Sequence, residues 1–410
     1  MRKKYNILSL DPMYSPLHEK VAKIVAKKKY AVTSCLSKKV YLPTFKLTLA
    51  TAIIGSVKGR IDDESIEKMR SLSTYHHAYA RKVESRKLTS NELEYMAKFY
   101  IGLKTFIKEK KIDLVILHND TRWYHAIAVL ICNENNIKYL VTEQGLIRPH
   151  TTIIDNKGVN ATANTSLFDK NISDVEPSDF FPKNTHDSWL SMMFFFLFIS
   201  MFFIERIFGK STILRYMHNG YSIRKYYKRL SIKFKSFNAK SENFQIKNNS
   251  ALLLLQLDHD SQFLMYSNFN SNQEVIDRVS ERCIELGLKL AIKKHPLDVG
   301  EYTLGNNSYF ADGDLSILIN KSQLIVTINS SAIVTVLNSN KPLFVIGESM
   351  YNFEHALEHC AIESIDYGLK QNILLRQRHL EKLKKNYLLI GAGYDYCASI
   401  LEKKLGQLLN

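Results

Sequence analysis

Cysteine is scarce in this 410-residue chain: Cys35, Cys132, Cys283, Cys360 and Cys397 are odd in number and far apart. No CxxC or other metal-ligand spacing occurs. Neither a zinc site nor a disulfide framework is therefore indicated, and a reducing compartment fits best. Glycine-rich phosphate loops are missing as well. There is no GxGxxG, Walker A or HExxH pattern, which leaves dinucleotide-binding, P-loop and zincin chemistry without support. Met1-Arg-Lys-Lys resembles a signal-peptide start. The apolar run behind it is only Ile7 to Leu10 before Asp11 and Pro12 interrupt, so no secretory signal is expected. Internal repeats and low-complexity tracts are absent too.

Acidic residues are lacking in one stretch. From Arg206 to Lys240 there are ten Lys/Arg and no Asp or Glu, so this segment supplies most of a net charge of +16. Such charge points to anionic partners: nucleic acid, acidic sugars, nucleotides or acidic lipids. No nucleic-acid-binding module surrounds the basic residues, and nucleic acid is set aside. Hydrophobic residues make up 45%, which indicates a globular chain, long enough for two or three domains with their own cores.

What is present reads as alternating strands and helices. Residues 5–10 form a first strand, followed by a turn at Asp11-Pro12 and a helix from Pro16 to about Lys28. A helix over Ser90 to Lys110 leads into a strand at Ile112 to Leu117. A helix at Arg122 to Asn135 then leads into a strand at Lys138 to Thr142. A second series starts with the apolar run Ala251 to Leu255, suited to a strand buried on both faces. It continues with a helix at Val275 to Leu286 and strands at Leu288 to Lys293, Leu324 to Ile328 and Pro342 to Ile346. A helix near Ala332 to Leu337 falls among them, and Leu369 to Leu409 reads as mostly helical. Units of this kind imply parallel sheets. The expected domains are 1–185, a linking segment 186–247, and 248–410.

The linking segment opens with Trp189 to Ile204, which has no charged residue. As a helix it is about 24 Å long, short for a bilayer core of roughly 30 Å. A crossing would also separate the two α/β halves. It reads as a helix lying in one leaflet of an anionic membrane surface, with Tyr216, Tyr221, Tyr226 and Tyr227 at the interface. A buried inter-domain helix followed by a solvated basic face is the alternative.

Polar clusters follow the expected strands, where open α/β sheets hold their ligands. Glu143-Gln-Gly-Leu-Ile-Arg-Pro149 offers an acid, a glycine permitting close backbone approach, and Arg148, a planar fork for carboxylate or phosphate. Arg148 paired to Glu143 is the structural alternative. Gln256-Leu-Asp-His-Asp-Ser-Gln262 offers Asp258, Asp260 and Ser261 for nucleophile or base work, or for capping the next turn. Lys293-Lys-His-Pro296 places His295, which can protonate a leaving phosphate, beside lysine charge. Ser330 and Ser331 open a helix and suit phosphate.

Together these stretches, with Ser15-Pro16-Leu17, Gly158-Val-Asn160, Thr327-Ile-Asn-Ser-Ser331 and Gly347 through Tyr351, resemble the capsular polysaccharide biosynthesis family of KpsS-like proteins. These are bacterial glycosyltransferases that use CMP-Kdo. The resemblance implies an α/β, GT-B-like fold: two Rossmann-like domains facing across a cleft, here with an inserted apolar and basic segment. It implies transfer of the acidic sugar Kdo to a lipid-linked or phospholipid acceptor with retained anomeric configuration, through an adduct on an aspartate. Asp260 matches that acid, His295 the family's HP histidine, and Glu143 the acid of its E-x-G-x-x-R-P motif. Gln256, Asp258, Ser261, Lys293, Arg148, Ser330 and Ser331 then bind substrate, with Arg148 on the Kdo carboxylate. No metal or other cofactor is expected, because a CMP-sugar carries one phosphate. The implied setting is the inner face of the cytoplasmic membrane, alongside other capsule assembly proteins. Ser331 stands where the family often has threonine, and His150 where an acid or tyrosine is common.

Overall fold

Five strands, Tyr5–Leu10 (β1), Ala26–Thr33 (β2), Lys46–Leu49 (β3), Leu114–His118 (β4) and Lys138–Gln144 (β5), run parallel in the order β3-β2-β1-β4-β5. This is the doubly wound Rossmann order, which reverses between β1 and β4. The computed structural model describes residues 4–409 except 13, 149, 169–185, 218–245, 352–356, 358–359 and 367–370. Apolar runs explain the central strands: every residue of β4 is buried, as a strand covered on both faces requires. Between strands lies the helix Ser90–Lys110, with Thr89 and Glu92 forming a capping box at its start. Its buried residues Leu93, Met96, Tyr100, Leu103 and Ile107 recur at helical spacing on one side. Thr151–Asp155 (β6) turns back antiparallel to β5.

The strand order repeats further along. Ser250–Leu254 (β7), Lys289–Lys293 (β8), Ser308–Phe310 (β9), Ile325–Thr327 (β10) and Leu343–Val345 (β11) are all parallel, in the order β11-β10-β7-β8-β9. Renumbered from its own first strand, this is again 3-2-1-4-5, with the reversal between β7 and β10. The chain thus forms two compact units, Met1–Tyr216 with Leu383–Asn410, and Met217–Lys382.

Three expectations need correction. The C-terminal tail was expected to be mostly helical, as Ile373–Lys382 and Ala398–Leu409 are, but also to belong wholly with residues 248–410. Instead Leu388–Ala392 (β12) pairs antiparallel with β6, and Asp395–Tyr396 (β13) with β12, so the end of the chain completes the first sheet. A leucine-rich segment suits either helix or strand, and tertiary pairing decides. The first helix ends at Val25, not Lys28, because Ala26–Thr33 is a strand whose lysines lie on its more exposed first half. The apolar helix runs from His186 to Phe208, 23 residues and about 34 Å, longer than the stretch from Trp189 to Ile204. Tyr221, Tyr226 and Tyr227 and the basic run beyond Met217 lie outside the described residues.

Candidate active site

In the second unit, the loops after β7, β8 and β10 leave the same sheet edge from three adjacent strands. Neighbouring strands are only about 4.8 Å apart, so the Gln256–Ser261, Lys293–His295 and Asn329–Ser331 segments gather there. Hydrogen bonds tie them. Asn329 N–H donates to Gln256 Oε1 at 3.4 Å, and Asn329 Nδ2 donates to the Gln262 carbonyl at 3.0 Å. Leu255 N–H donates to the Lys293 carbonyl at 3.0 Å. The edge is the switch-point crevice of a Rossmann sheet, where ligands bind.

Most of these side chains have a definable local role. Asp260 caps the helix Ser261–Tyr266, its Oδ1 accepting the Gln262 N–H at 2.8 Å. Asp258 accepts the Asn272 N–H at 2.8 Å, at the start of the helix Asn272–Glu285, so it ties loop to helix. Gln256 is buried and acts as a strut between β7 and β10. The Leu297 N–H donates to His295 Nδ1 at 3.1 Å. With Nδ1 accepting, the neutral ring carries its proton on Nε2, as a donor toward a departing phosphate must. Lys293 Nζ turns to the Gly313 carbonyl at 2.9 Å and Asp312 at 3.4 Å, so part of its charge is already used. Ser330 Oγ accepts the Ala332 N–H at 3.3 Å. The helix that follows, Ile333–Val336, has four residues, too short for the expected helix-start field to add much.

Glu143 stands in the first unit, at the end of β5. Its Oε2 accepts from Asn119 Nδ2 at 2.8 Å, and its Oε1 accepts the Gln144 N–H at 2.8 Å. His118 Nε2 lies 3.8 Å from Oε1. Arg148 is exposed and donates from Nε to the Gly145 carbonyl at 3.2 Å. Among the described residues no ion pair joins it to Glu143.

Gly145 makes the turn possible. Its N–H donates to the Thr151 carbonyl at 2.9 Å, and a Cβ there would land on the Thr151 backbone. Gly145→Ala is therefore expected to destabilise the first unit by about 2 kcal/mol or more. A melting temperature within 1 °C or so of wild type would contradict that.

A buried polar cluster that the sequence reading missed lies beneath Glu143. Asp11 follows β1, is fully buried, and adopts φ +32. It accepts from the Ser34 N–H at 2.9 Å and the Tyr124 hydroxyl at 2.6 Å. Burial alone would raise its pKa, but Lys38, His125, Ser34 and Tyr124 together bring it below the usual carboxylate value. His18 bonds Ser9 Oγ at 2.7 Å and Thr142 Oγ1 at 3.3 Å, and Thr142 in turn meets His118 Nδ1 at 3.4 Å. His125 Nδ1 donates to the Asn119 carbonyl at 2.8 Å, while its Nε2 is buried without a hydrogen-bond partner among the described residues.

Burial pushes all three histidines well down, His125 to about 3, with Arg122 next for His118 and His125 and His118 next for His18. They are neutral near pH 7. Asp120 goes the other way, raised to about 6 by burial. The only sequence signal was His118-Asn119-Asp120 directly after an apolar strand, the same type of cluster as those singled out.

Two units of Rossmann strand order, each with acids and histidines at the carboxyl edge of its sheet, define a two-domain α/β protein of the doubly wound class. Residues 113–356, more than half of the chain, match the family described as capsule polysaccharide biosynthesis protein, and the chain belongs to that family. It is 23% identical over 290 residues to the capsule polysaccharide export protein KpsS of Escherichia coli, covering 62% of this chain and 71% of that protein. It is also 39% identical over 59 residues to the capsule polysaccharide modification protein LipB of Neisseria meningitidis, a match spanning only 14% of either chain. Among solved structures it is similar to the β-Kdo 2,7 transferase of Thermosulfurimonas dismutans KpsC. That match has 10% identity and a TM-score of 0.40, covering 99% of this chain and 100% of that one.

Proposed function

We propose that this chain is a GT-B-type glycosyltransferase of capsule polysaccharide biosynthesis, moving Kdo from CMP-Kdo to a lipid-linked acceptor at the inner face of the cytoplasmic membrane. Asp260 attacks the anomeric carbon as the bond to the CMP phosphate breaks and CMP leaves with the electron pair. His295 Nε2–H hydrogen-bonds the departing phosphate. The acceptor hydroxyl then attacks the same carbon, Glu143 takes its proton, and the Asp260 carboxylate is released. Two displacements retain configuration. Arg148, exposed on the loop after β5, pairs with the Kdo carboxylate.

The observation that carries this reading is the position of Asp260 and His295 on adjacent loops at the switch-point edge, in a chain of this family. The test is incubation with CMP-Kdo and a synthetic glycolipid, read by mass spectrometry, with product one Kdo heavier expected. CMP, but not UDP or GDP, should also raise the melting temperature; at a hundred times Kd, binding adds about 2.7 kcal/mol. A shift with UDP alone would reassign the donor. The likeness to the capsule polysaccharide export protein of Escherichia coli favours a second reading, an export or assembly protein without transferase activity. No product and no nucleotide shift would select it.

A further inference from the structure

The helix His186–Phe208 has two unlike faces. Its inner face is fixed to the first unit. Phe198 is fully buried between Tyr14 and Tyr41, with ring centroids 5.7 and 5.8 Å away. Phe194 stacks on Tyr394 at 4.7 Å, and the Lys38 ammonium sits 4.9 Å from the Phe198 ring. Two turns on, the Glu205 carboxylate accepts the N–H groups of Leu36 at 2.7 Å and Ser37 at 3.0 Å, and the Thr212 hydroxyl at 2.6 Å. The outer face is apolar and open: Trp189, Phe196, Ile204 and Phe208 are 62, 62, 59 and 85% exposed. Only 11% of its most apolar stretch is buried, unlike the core helix of a soluble protein.

We infer that this outer face seats in the headgroup–acyl boundary of an anionic bilayer, the helix lying along the membrane plane as a single-leaflet anchor. Length does not decide between anchor and span, because about 34 Å reaches across the hydrocarbon. The inner face decides. A crossing helix needs lipid or other helices around its circumference, whereas here one side is bonded to a sheet-bearing domain and carries a committed carboxylate.

Charge selects the occupant. Arg206, Lys210 and Arg215 follow on the exposed surface, and from Arg206 to Lys240 the sequence has ten Lys/Arg and no acid. That composition suits anionic headgroups, whereas a second copy of the chain would oppose like charge to like.

This deepens the membrane location in the functional proposal and needs none of its chemistry. The test is sedimentation of the full chain with phosphatidylglycerol-containing vesicles, with phosphatidylcholine vesicles as comparison. Wild type should bind the anionic vesicles and be released by alkaline carbonate. The double substitution Phe196→Glu with Ile204→Glu should weaken binding at least tenfold while leaving transfer to a soluble acceptor unchanged. Resistance to carbonate would show a span, and undiminished binding by the double variant would exclude this face. A wild-type dimer in lipid-free solution that the variant makes monomeric would show that a second copy covers it. Each of these three results overturns the inference. Loss of transfer with vesicle binding intact would instead count against the functional proposal alone.

Discussion

Replacing Asp260 by asparagine is expected to cut transfer by about a thousandfold or more while leaving the melting temperature unchanged. The amide cannot form a sugar ester, but its oxygen can still accept the Gln262 N–H that Asp260 Oδ1 accepts at 2.8 Å. Alanine is the poorer probe, since losing the cap costs about 1 kcal/mol and mixes stability with chemistry. Asp258→Asn is the matched structural comparison: its carbonyl can keep the Asn272 N–H, so the melting temperature should again be unchanged, and it should still gain the Kdo adduct that the Asp260 variant lacks. Intact mass in the absence of acceptor provides a second readout. Wild type should gain one Kdo from CMP-Kdo, and the Asp260 variant none. Normal turnover by Asp260→Asn would remove the nucleophile from the mechanism.

Asp258 and Asp260 show how far sequence goes. The apolar run Ala251 to Leu255 marks a doubly buried strand, and the acids after it must stand at its carboxyl end. The local cap that Asp260 makes on Gln262 was among the roles the sequence offered, whereas the Asp258 contact to the Asn272 N–H, across 14 residues, is encoded by no local pattern. The helix Ser90–Lys110 was legible to the residue because its capping box and apolar spacing agree. β2 was hidden by Ala26-Lys-Lys-Lys, and β12 by leucines equally at home in a helix.

The cluster under Glu143 was least legible. Its members Ser9, Asp11, His118 and Thr142 become neighbours only through the order β2-β1-β4-β5. Asp11-Pro12 read alone is simply a turn. The apolar helix was cut short at Ile204 because Glu205 looks like solvent-facing charge, yet its carboxylate is spent on Leu36, Ser37 and Thr212.

That hidden cluster makes the first unit acid-sensitive. His18, His118 and His125 have folded pKa values far below an unfolded value near 6.5. The unfolded chain therefore binds more protons, and stability present above pH 6.5 is lost as pH falls toward the folded values. At pH 5.5, below that unfolded value, each ring kept neutral by the fold costs on the order of 1 kcal/mol, so the three together cost a few kcal/mol. Asp120 opposes them. Its folded pKa, about 6, is raised above 3.8, so its stabilising effect is present at low pH and is lost as pH rises through 6. Acidifying from 7.5 to 5.5 returns at most about 1 kcal/mol from that source. The histidines win, and a net loss of roughly 2 kcal/mol or more is expected. Urea unfolding followed by tryptophan fluorescence measures this in the first unit, since Trp123 and Trp189 are the chain's two tryptophans and Trp123 is buried there. His125→Gln should flatten the pH slope by about a third. Equal stability at the two pH values, or an unchanged slope in that variant, would mean that these rings are already charged in the folded protein.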